Sequence, residues 1–517
     1  MVAFAGQSLT DSTSERGGFD GARGSGLPPL FVHDVSGVLN KTFGLDLSSK
    51  DVDVHIAHFS GLPHYGTAKS LTAYSMVSEA LERGRLKPGG IVVEPTSGNT
   101  GLALADILHN MGASLIMVVS RKISSSFEEE LTARFGAKTI ELDDPTDTQV
   151  VHEFVAHNRG SPFVLIVKLP TNYCPTDEPS GAIAYAKRLV KEGNGGFVML
   201  DQYTNEANPS IHRGFTAPSI MRAVENCVKG GRRLYVFLSG GTFGTALGLA
   251  QFFVEHAVSA KLIIALPRGE DVFGVVDLDN AKRRKFYKEL EALAESSGRP
   301  DLFEVVEIDS PMEKISKLWG FNRVLREMNT QVDLTGGYSS MLVLRCALDC
   351  IESGKLQSAV CVLLFHDTSK MYPQPKQISP SVFIDESMIV EKQEAERILL
   401  EKNGRIVYVD PIPVPMGEDT KAKLKAQLEK VFKTRVESYD IKSIEDVLVL
   451  DGSLSLSDIR LRPEFVNYTR QASAKTPIVL VCPHGGTSRL LASKLHSMGV
   501  MNVYGLRGGL QSILQED

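Results

Sequence analysis

The sequence predicts an α/β protein: two parallel-sheet α/β subdomains followed by a smaller C-terminal α/β domain. Three observations predict it. Short β-favouring runs alternate with helical patterns from about residue 26 to 370. A proline-rich stretch, MYPQPKQISPSVF, then interrupts the rhythm. Strand and helix patterns resume beyond it in a shorter second series. A β–α–β–α alternation builds mainly parallel sheets covered by helices on both faces, and ligands of such sheets sit where the carboxyl ends of strands lead into helices.

Taken in order, residues 1–25 end in GGFDGARGSG and are poor in large apolar side chains, so they read as a disordered lead-in. They lack the apolar core of a secretory signal, and Asp11, Glu15 and Asp20 count against a transit peptide, so the expected location is the cytoplasm. TAYSMVSEALERGRL reads as a helix, IVVE as a strand, GLALADILHNMG as a helix, SLIMVVS as a strand, SSFEEELTARFG as a helix and KTIELD as a strand. LYVFLS and KLIIALP are strands flanking a helix, and AVCVLLFHD is a further strand. Residues 373–386 form a linker. Beyond it, residues 387–403 read as a charged helix, IVYVDP as a strand, TKAKLKAQLEKVFK as a basic surface helix, VLVLD as a strand, PIVLVCPHGGTSRLLASKL as strand, loop and helix, and MNVYGLRGGL as strand and turn.

Composition narrows the function. The 517 residues carry a net charge of -6, which supplies no basic field for a nucleic acid. No apolar run approaches the roughly 18 residues that span a bilayer. The six cysteines, Cys174, Cys227, Cys346, Cys350, Cys361 and Cys482, form no CxxC pair and no regular spacing. That pattern suits reduced thiols better than a disulfide framework or a zinc site, so no metal is expected.

Four pieces carry chemistry. The turn TSGNT at 96–100 follows a strand and opens a helix, so its backbone N–H groups face outward and attract an anion, aided by Thr96, Ser97, Asn99 and Thr100. A polar turn that simply caps a helix explains this stretch equally well on its own. SGGTFGT at 239–245 is a second strand-to-helix turn, in which glycines admit a close approach and Thr242 and Thr245 supply hydroxyls: a phosphate cradle, but no Walker loop, since no lysine follows the last glycine. Lys69, in GLPHYGTAKSLTAYSMV, stands where a glycine-rich loop enters a helix. Burial beside the positive end of the helix dipole would free its amine as a nucleophile, although an exposed first-turn lysine is the commoner case. TGGYSSM at 335–341 places Ser339 and Ser340 at the mouth of another helix.

Together these pieces resemble the β-family (fold type II) of pyridoxal-phosphate enzymes, and within it cysteine synthase and cystathionine β-synthase. The likeness runs through KPGGIVVEPTSGNTGLALA, QYTNEANPSIHRGFTAPSIM, the glycine loop, GYSSM and DTSKMY, covering roughly residues 26–372 with a mobile subdomain at about 70–205. It implies pyridoxal 5'-phosphate as cofactor, with Lys69 as the lysine of the internal aldimine. Gly241, Thr242, Gly244 and Thr245 would hold the phosphate, Asn99 the ring hydroxyl oxygen, and Ser339 would face the pyridine nitrogen. Thr96, Ser97, Thr100 and Gln202 would cradle a substrate α-carboxylate. A serine leaves the pyridine nitrogen largely neutral and the ring a weaker electron sink, which favours prompt loss of a β-substituent, with Lys69 taking the α-proton. The implied reaction is β-replacement on an activated serine through an α-aminoacrylate, taking a small amino acid and a sulfur nucleophile, in a homodimer. The alternatives are β-elimination, as in a cysteine desulfhydrase or a serine/threonine dehydratase, and a regulatory scaffold without turnover.

The sequence departs from the family in places. TAKSLT stands where the family reads SVKDR, so Ser70 and Leu71 replace Asp and Arg; Phe243 replaces the central glycine of the phosphate loop; and His64 and Tyr65 lie beside the lysine, as loop residues or as shapers of substrate choice.

Residues 387–517 resemble a rhodanese domain through VLVLDGSL and VCPHGGTSRLLASKLHSMGVMNVYGLRGGLQSI. Cys482 matches that family's cysteine, with backbone N–H groups of His484 to Ser488 and a following helix dipole placed to favour a thiolate or persulfide. The family's arginine five residues on is Thr487 here, and Arg489 lies two further. Fusion of the two domains suggests a relay in which the rhodanese-like domain delivers or receives sulfur from the other active site; the alternative is an interaction module that has lost transfer.

Overall fold

A computed structural model describes residues 27–28, 30–96, 98–120, 123, 125–170, 181–193, 195–269, 272–328, 332–372, 388–410, 418–432, 439–449, 460–483 and 485–510. The N-terminal segment 1–25, the linker 373–386, Ser97 and His484 lie outside the described residues.

Three sheets of five or six strands and one two-stranded ribbon organise the described residues. The first has six strands in the order Phe31–Asp34, Val52–His58, Ala359–Phe365, Arg233–Ser239, Ala260–Arg268, Phe303–Asp309. Its first pair is antiparallel and the rest are parallel. The second is a parallel sheet of five, in the order Lys138–Glu141, Val164–Leu169, Ser114–Ser120, Ile91–Pro95, Phe197–Met199. Strands covered on both faces lose the usual in–out alternation. Ala359–Phe365 and Ser114–Ser120 accordingly bury every residue. Helices Ala217–Val228, Gly244–Glu255 and Tyr338–Glu352 cover the first sheet, their apolar sides merging with its strands in one core.

The third sheet is parallel, in the order Ile389–Val390, Val503–Leu506, Ile478–Val481, Arg405–Asp410, Tyr439–Ser443. Here the sequence reading needs correction. VLVLD adds no strand to this sheet: Ile444–Val447 form a helical turn, and Leu448–Val449 form a short strand that pairs antiparallel with Arg460–Leu461 in a separate two-stranded ribbon. The edge strand is Tyr439–Ser443 instead. The charged helix is also shorter than 387–403, running from Lys392 to Glu401 after the two-residue strand Ile389–Val390. Val52–His58 escaped the sequence reading, because Asp53 and His55 interrupt its apolar run.

In the first sheet, Val52–His58, Ala359–Phe365 and Arg233–Ser239 are adjacent and parallel. Their carboxyl ends therefore open at one edge. The segments that leave them lead to Lys69 at the start of the next helix, to His366 with Asp367, and to the Gly240–Thr245 turn.

Candidate active site

Lys69 is the second residue of the helix Ala68–Glu82, whose start is tightly fixed. Thr67 Oγ1 accepts from Ser70 N at 3.2 Å while Ser70 Oγ accepts from Thr67 N at 3.1 Å, a reciprocal capping box. Ser70 Oγ also reaches the carbonyl of His64 in a short contact. The serine that replaces the family's aspartate is thus the far half of the cap. Ser70→Ala keeps the backbone half of the cap but removes the two bonds of the hydroxyl, and should lower stability by about 1–2 kcal/mol in urea titration.

Upstream, His64, Tyr65 and Gly66 all take positive φ, at 58°, 74° and 58°. His64 Nδ1 lies 2.8 Å from Asp106 Oδ2, and Tyr65 OH donates to Glu130 Oε1 at 3.1 Å under the guanidinium of Arg134. Both side chains tie the strained loop down onto the second subdomain's helices.

Lys69 Nζ donates to Thr242 Oγ1 at 3.4 Å. Burial pulls the lysine down to about 8, so close to half of it is unprotonated near that pH. Thr242 also accepts from Asn208 Nδ2 at 3.1 Å and from Gly244 N at 3.4 Å. A Cβ on Gly241 would lie 2.6 Å from the carbonyl oxygen of Gly274, and one on Gly244 would lie 2.2 Å from Asn208 Oδ1. Both positions therefore require glycine. Phe243, by contrast, holds a left-handed φ of 67° despite its bulk. Its ring lies over Gly240, where a Cβ would meet it at 2.3 Å, and meets Tyr287 edge-on at 5.1 Å. Burial of that ring offsets a backbone strain of about 1–2 kcal/mol. Thr245 Oγ1 lies 3.2 Å from Nε2 of the buried His212, whose basicity burial holds far below normal, with the charge of Lys69 adding to the effect.

Asn99 opens the helix Asn99–Asn110. Its Nδ2 donates to Asp367 Oδ2 at 2.7 Å and to Tyr372 OH at 3.3 Å. Tyr372 OH makes a short hydrogen bond to the same carboxylate, and Gly337 N donates to its other oxygen at 3.3 Å. Burial outweighs these donors and pushes Asp367 up to about 6. Asn99 Oδ1 is buried without a hydrogen bond. Ser339 is buried in the first turn of Tyr338–Glu352.

Thr96 is buried, and Thr100 Oγ1 donates to Gln202 Oε1 at 2.9 Å. Gln202 Nε2 donates to the Pro95 carbonyl at 3.2 Å. Beneath them Glu94 accepts from Asp201 N at 2.9 Å and Gln202 N at 3.0 Å, yet burial raises it to about 8.

The sequence-chosen residues thus fall into three knots: Lys69 with Thr242, Asn99 beside Asp367, and Thr100 with Gln202. Sequence reading missed Asn208, His212, His366, Asp367 and Tyr372. The signal was present in ANPSIH, where Asn208 and His212 share one helical face, and in DTSKMY. The free amine, the close-approach glycines and the unpaired oxygen of Asn99 fit a phosphorylated aldehyde with a polar ring.

The profile of pyridoxal-phosphate dependent enzymes matches residues 59–314. This part of the chain belongs to that family. Its cofactor is pyridoxal phosphate, and the segment is similar in sequence to cysteine synthases and cystathionine β-synthases. Over 204 residues the chain is 32% identical to cystathionine beta-synthase of Apis mellifera, covering 40% of this chain and 34% of that protein. Over 209 residues it is 30% identical to a probable cysteine synthase of Bacillus subtilis (strain 168), covering 40% of this chain and 55% of the relative. The chain thus spans about a third to about half the length of these curated relatives. Among solved structures it is similar to an O-acetylserine dependent cystathionine beta-synthase from Helicobacter pylori, with TM-score 0.47 and 20% identity over 66% of this chain and 93% of that one. It is also similar to a hydrogen sulfide-producing enzyme from Fusobacterium nucleatum, with TM-score 0.46 and 19% identity over 63% and 91%.

Residues 416–516 match the rhodanese-like domain. Cys482 is buried at the end of Ile478–Val481, before the helix Gly486–Ser497. Its Sγ accepts from Gly485 N at 3.1 Å and Ser488 N at 3.3 Å. Gly485 and Gly509 take positive φ and touch backbone to backbone: a Cβ on Gly509 would lie 2.3 Å from both Cys482 O and Gly485 N. Arg489 turns its side chain to the catalytic segment's Asp277. Its Nη2 pairs with Asp277 Oδ2 at 3.3 Å, and Arg283 donates to the carbonyl of Gly508 at 3.3 Å. Asp277 follows directly on Val276, whose N–H bonds the carbonyl of Gly240 at 2.9 Å. Among the described residues no helix is long and apolar enough to cross a membrane.

Proposed function

We propose that the chain catalyses β-replacement on an activated serine, taking an amino-acid substrate and a sulfur nucleophile. The observation that carries this reading is the pairing of the Lys69 amine with Thr242 at 3.4 Å, which sets a nucleophile of lowered basicity against the glycine–threonine turn. In this assignment Gly241, Thr242, Gly244 and Thr245 hold the cofactor phosphate at the amino end of Gly244–Glu255. Asn99, steadied by Asp367 and Tyr372, turns to the ring hydroxyl, and Ser339 faces the pyridine nitrogen. Thr96, Ser97, Thr100 and Gln202 receive the α-carboxylate. Bound there, pyridoxal phosphate supplies the electron sink for the charge left when the α-proton departs. Lys69 would hold the cofactor through its Nζ and, when that amine is free, would take the α-proton of the substrate. The buried walls exclude water, which favours addition of sulfur over hydrolysis. The catalytic unit is assigned to residues 26–372 of a homodimer.

Cys482 is assigned as an acceptor of sulfane sulfur: its thiolate attacks the outer sulfur of thiosulfate and releases sulfite. The contact of Arg489 with Asp277, next to the segment that braces Gly240, supports exchange between the two sites. Mass spectrometry after thiosulfate treatment should show one added sulfur on Cys482; an unchanged mass ends the relay.

Product analysis tests the main reading. O-acetylserine with sulfide should yield cysteine and acetate much faster than cysteine alone yields sulfide and pyruvate. The reverse ranking would make the enzyme an eliminating lyase. No product from either, with the Schiff-base band present, would leave a scaffold.

A further inference from the structure

We propose a zinc site of three protein ligands, Asp53, His55 and Cys227, at the end of the first sheet away from the cofactor pocket. One ligand atom from each of these residues lies within 4.8 Å of the other two. Asp53 and His55 are two apart in the strand Val52–His58, so they project from the same face. Cys227 comes from the last turn of Ala217–Val228, the helix packed over that face. No sequence spacing signals this set, since 172 residues separate His55 from Cys227 and only the sheet brings them together.

An independent observation points to a missing partner. His55 is 8% exposed, and its Nε2 is buried without a hydrogen bond. A buried ring nitrogen left unpaired is costly unless something occupies it. Bonds of 2.0–2.3 Å in a tetrahedron place zinc ligands roughly 3.3–3.8 Å apart, so small side-chain rotations would close this set. Thiolate with imidazole and carboxylate selects a borderline cation such as Zn²⁺ over Mg²⁺ or Ca²⁺. The fourth position would be a water.

Arg232 is the obvious objection. Its Nη1 donates to Asp53 Oδ2 at 2.5 Å, so a metal would bind the carboxylate through its other oxygen. The guanidinium is also shared with Asp51, 3.6 Å away, and Asp34 stands opposite His55 in the antiparallel register. Two carboxylates on the arginine and a third opposite His55 leave the neighbourhood negative. Asp53 lies five residues before the carboxyl end of its strand, about 17 Å by strand rise, so the ion would brace helix against sheet and take no part in turnover.

Cobalt(II) titration of metal-stripped holoenzyme tests this. Near-stoichiometric cobalt should give a sulfur-to-cobalt charge-transfer band and tetrahedral d–d bands. Cys227→Ser should abolish the charge-transfer band, and His55→Gln should weaken binding at least about ten-fold. Zinc should raise the unfolding temperature of the parent and not of Cys227→Ser, which is nearly isosteric at a half-buried site. The cofactor's visible absorbance should be the same in both and reports that the variant is folded. Absence of the charge-transfer band, its survival in Cys227→Ser, or equal thermal shifts in the two proteins would each overturn the site.

Discussion

Lys69→Ala should eliminate the visible Schiff-base absorbance of the purified protein and cut turnover by on the order of 10³-fold or more, since the proposed assignment gives one amine both the cofactor linkage and the α-proton. Cofactor retained without that band, and activity restored in part by an added small amine, would be the expected accompaniment. Persistence of the band in the variant would place the linkage on another lysine and end the assignment. Thr242→Ala leaves the amine in place and should leave the band, at lower cofactor occupancy.

The same lysine also predicts a stability effect of opposite sign. Burial holds its folded-state value near 8, against 10.5 for a free lysine. Between those two pH values the unfolded chain binds a proton that the native chain does not, so stability of the cofactor-free protein rises as pH climbs from 8 towards 10.5. Below 8 the native state carries the full penalty, at most about 3 kcal/mol. Lys69→Met should therefore raise the thermal midpoint of the cofactor-free protein at neutral pH, with the gain vanishing above pH 10.5. A variant less stable at every pH would show that the ammonium is well solvated in the native state.

Much of this pocket could be read from local sequence because its parts are turns. TSGNT and SGGTFGT combine β-favouring runs, small residues and a helical pattern within about a dozen positions, and strand-to-helix turns of a parallel sheet all open at the same edge. Asp367 was opaque for the converse reason. A lone aspartate after a strand reads as a solvated loop residue, and only the fold shows that it is buried under Asn99, Tyr372 and Gly337. Phe243 read as a departure from a glycine loop; its ring takes up the space over Gly240, a trade visible only in three dimensions. Val52–His58 was passed over because two polar residues break its pattern, and those residues are the proposed ligands of a metal. In the C-terminal domain, VLVLD looked like a strand of the main sheet, but Val447 closes a helical turn packed into the core and Leu448–Val449 pair with Arg460–Leu461 outside that sheet.

Gly244→Ala should lose about 3 kcal/mol of stability and weaken pyridoxal phosphate at least about ten-fold, whereas Gly37→Ala should gain up to about 1 kcal/mol. The substitution adds one methyl in each case, and its surroundings decide the sign. At Gly37, on the exposed side of the helix Ser36–Phe43, a Cβ meets nothing within 4 Å and only improves helix propensity. At Gly244 it meets the whole amide of Asn208, at 2.2–2.5 Å. That amide cannot swing away freely: it donates to Gln202 O at 2.8 Å and Thr242 Oγ1 at 3.1 Å, and accepts from Thr72 Oγ1 at 3.1 Å. Each of these bonds, once broken, strands a buried polar group. Displacing Asn208 also releases Thr242, the partner of Lys69, so cofactor grip and amine position should fail together. Fluorescence titration of the cofactor with parallel urea melts would show this as loss of both quantities; a variant that melts early yet binds pyridoxal phosphate normally would remove the Gly241–Thr245 turn from the phosphate site.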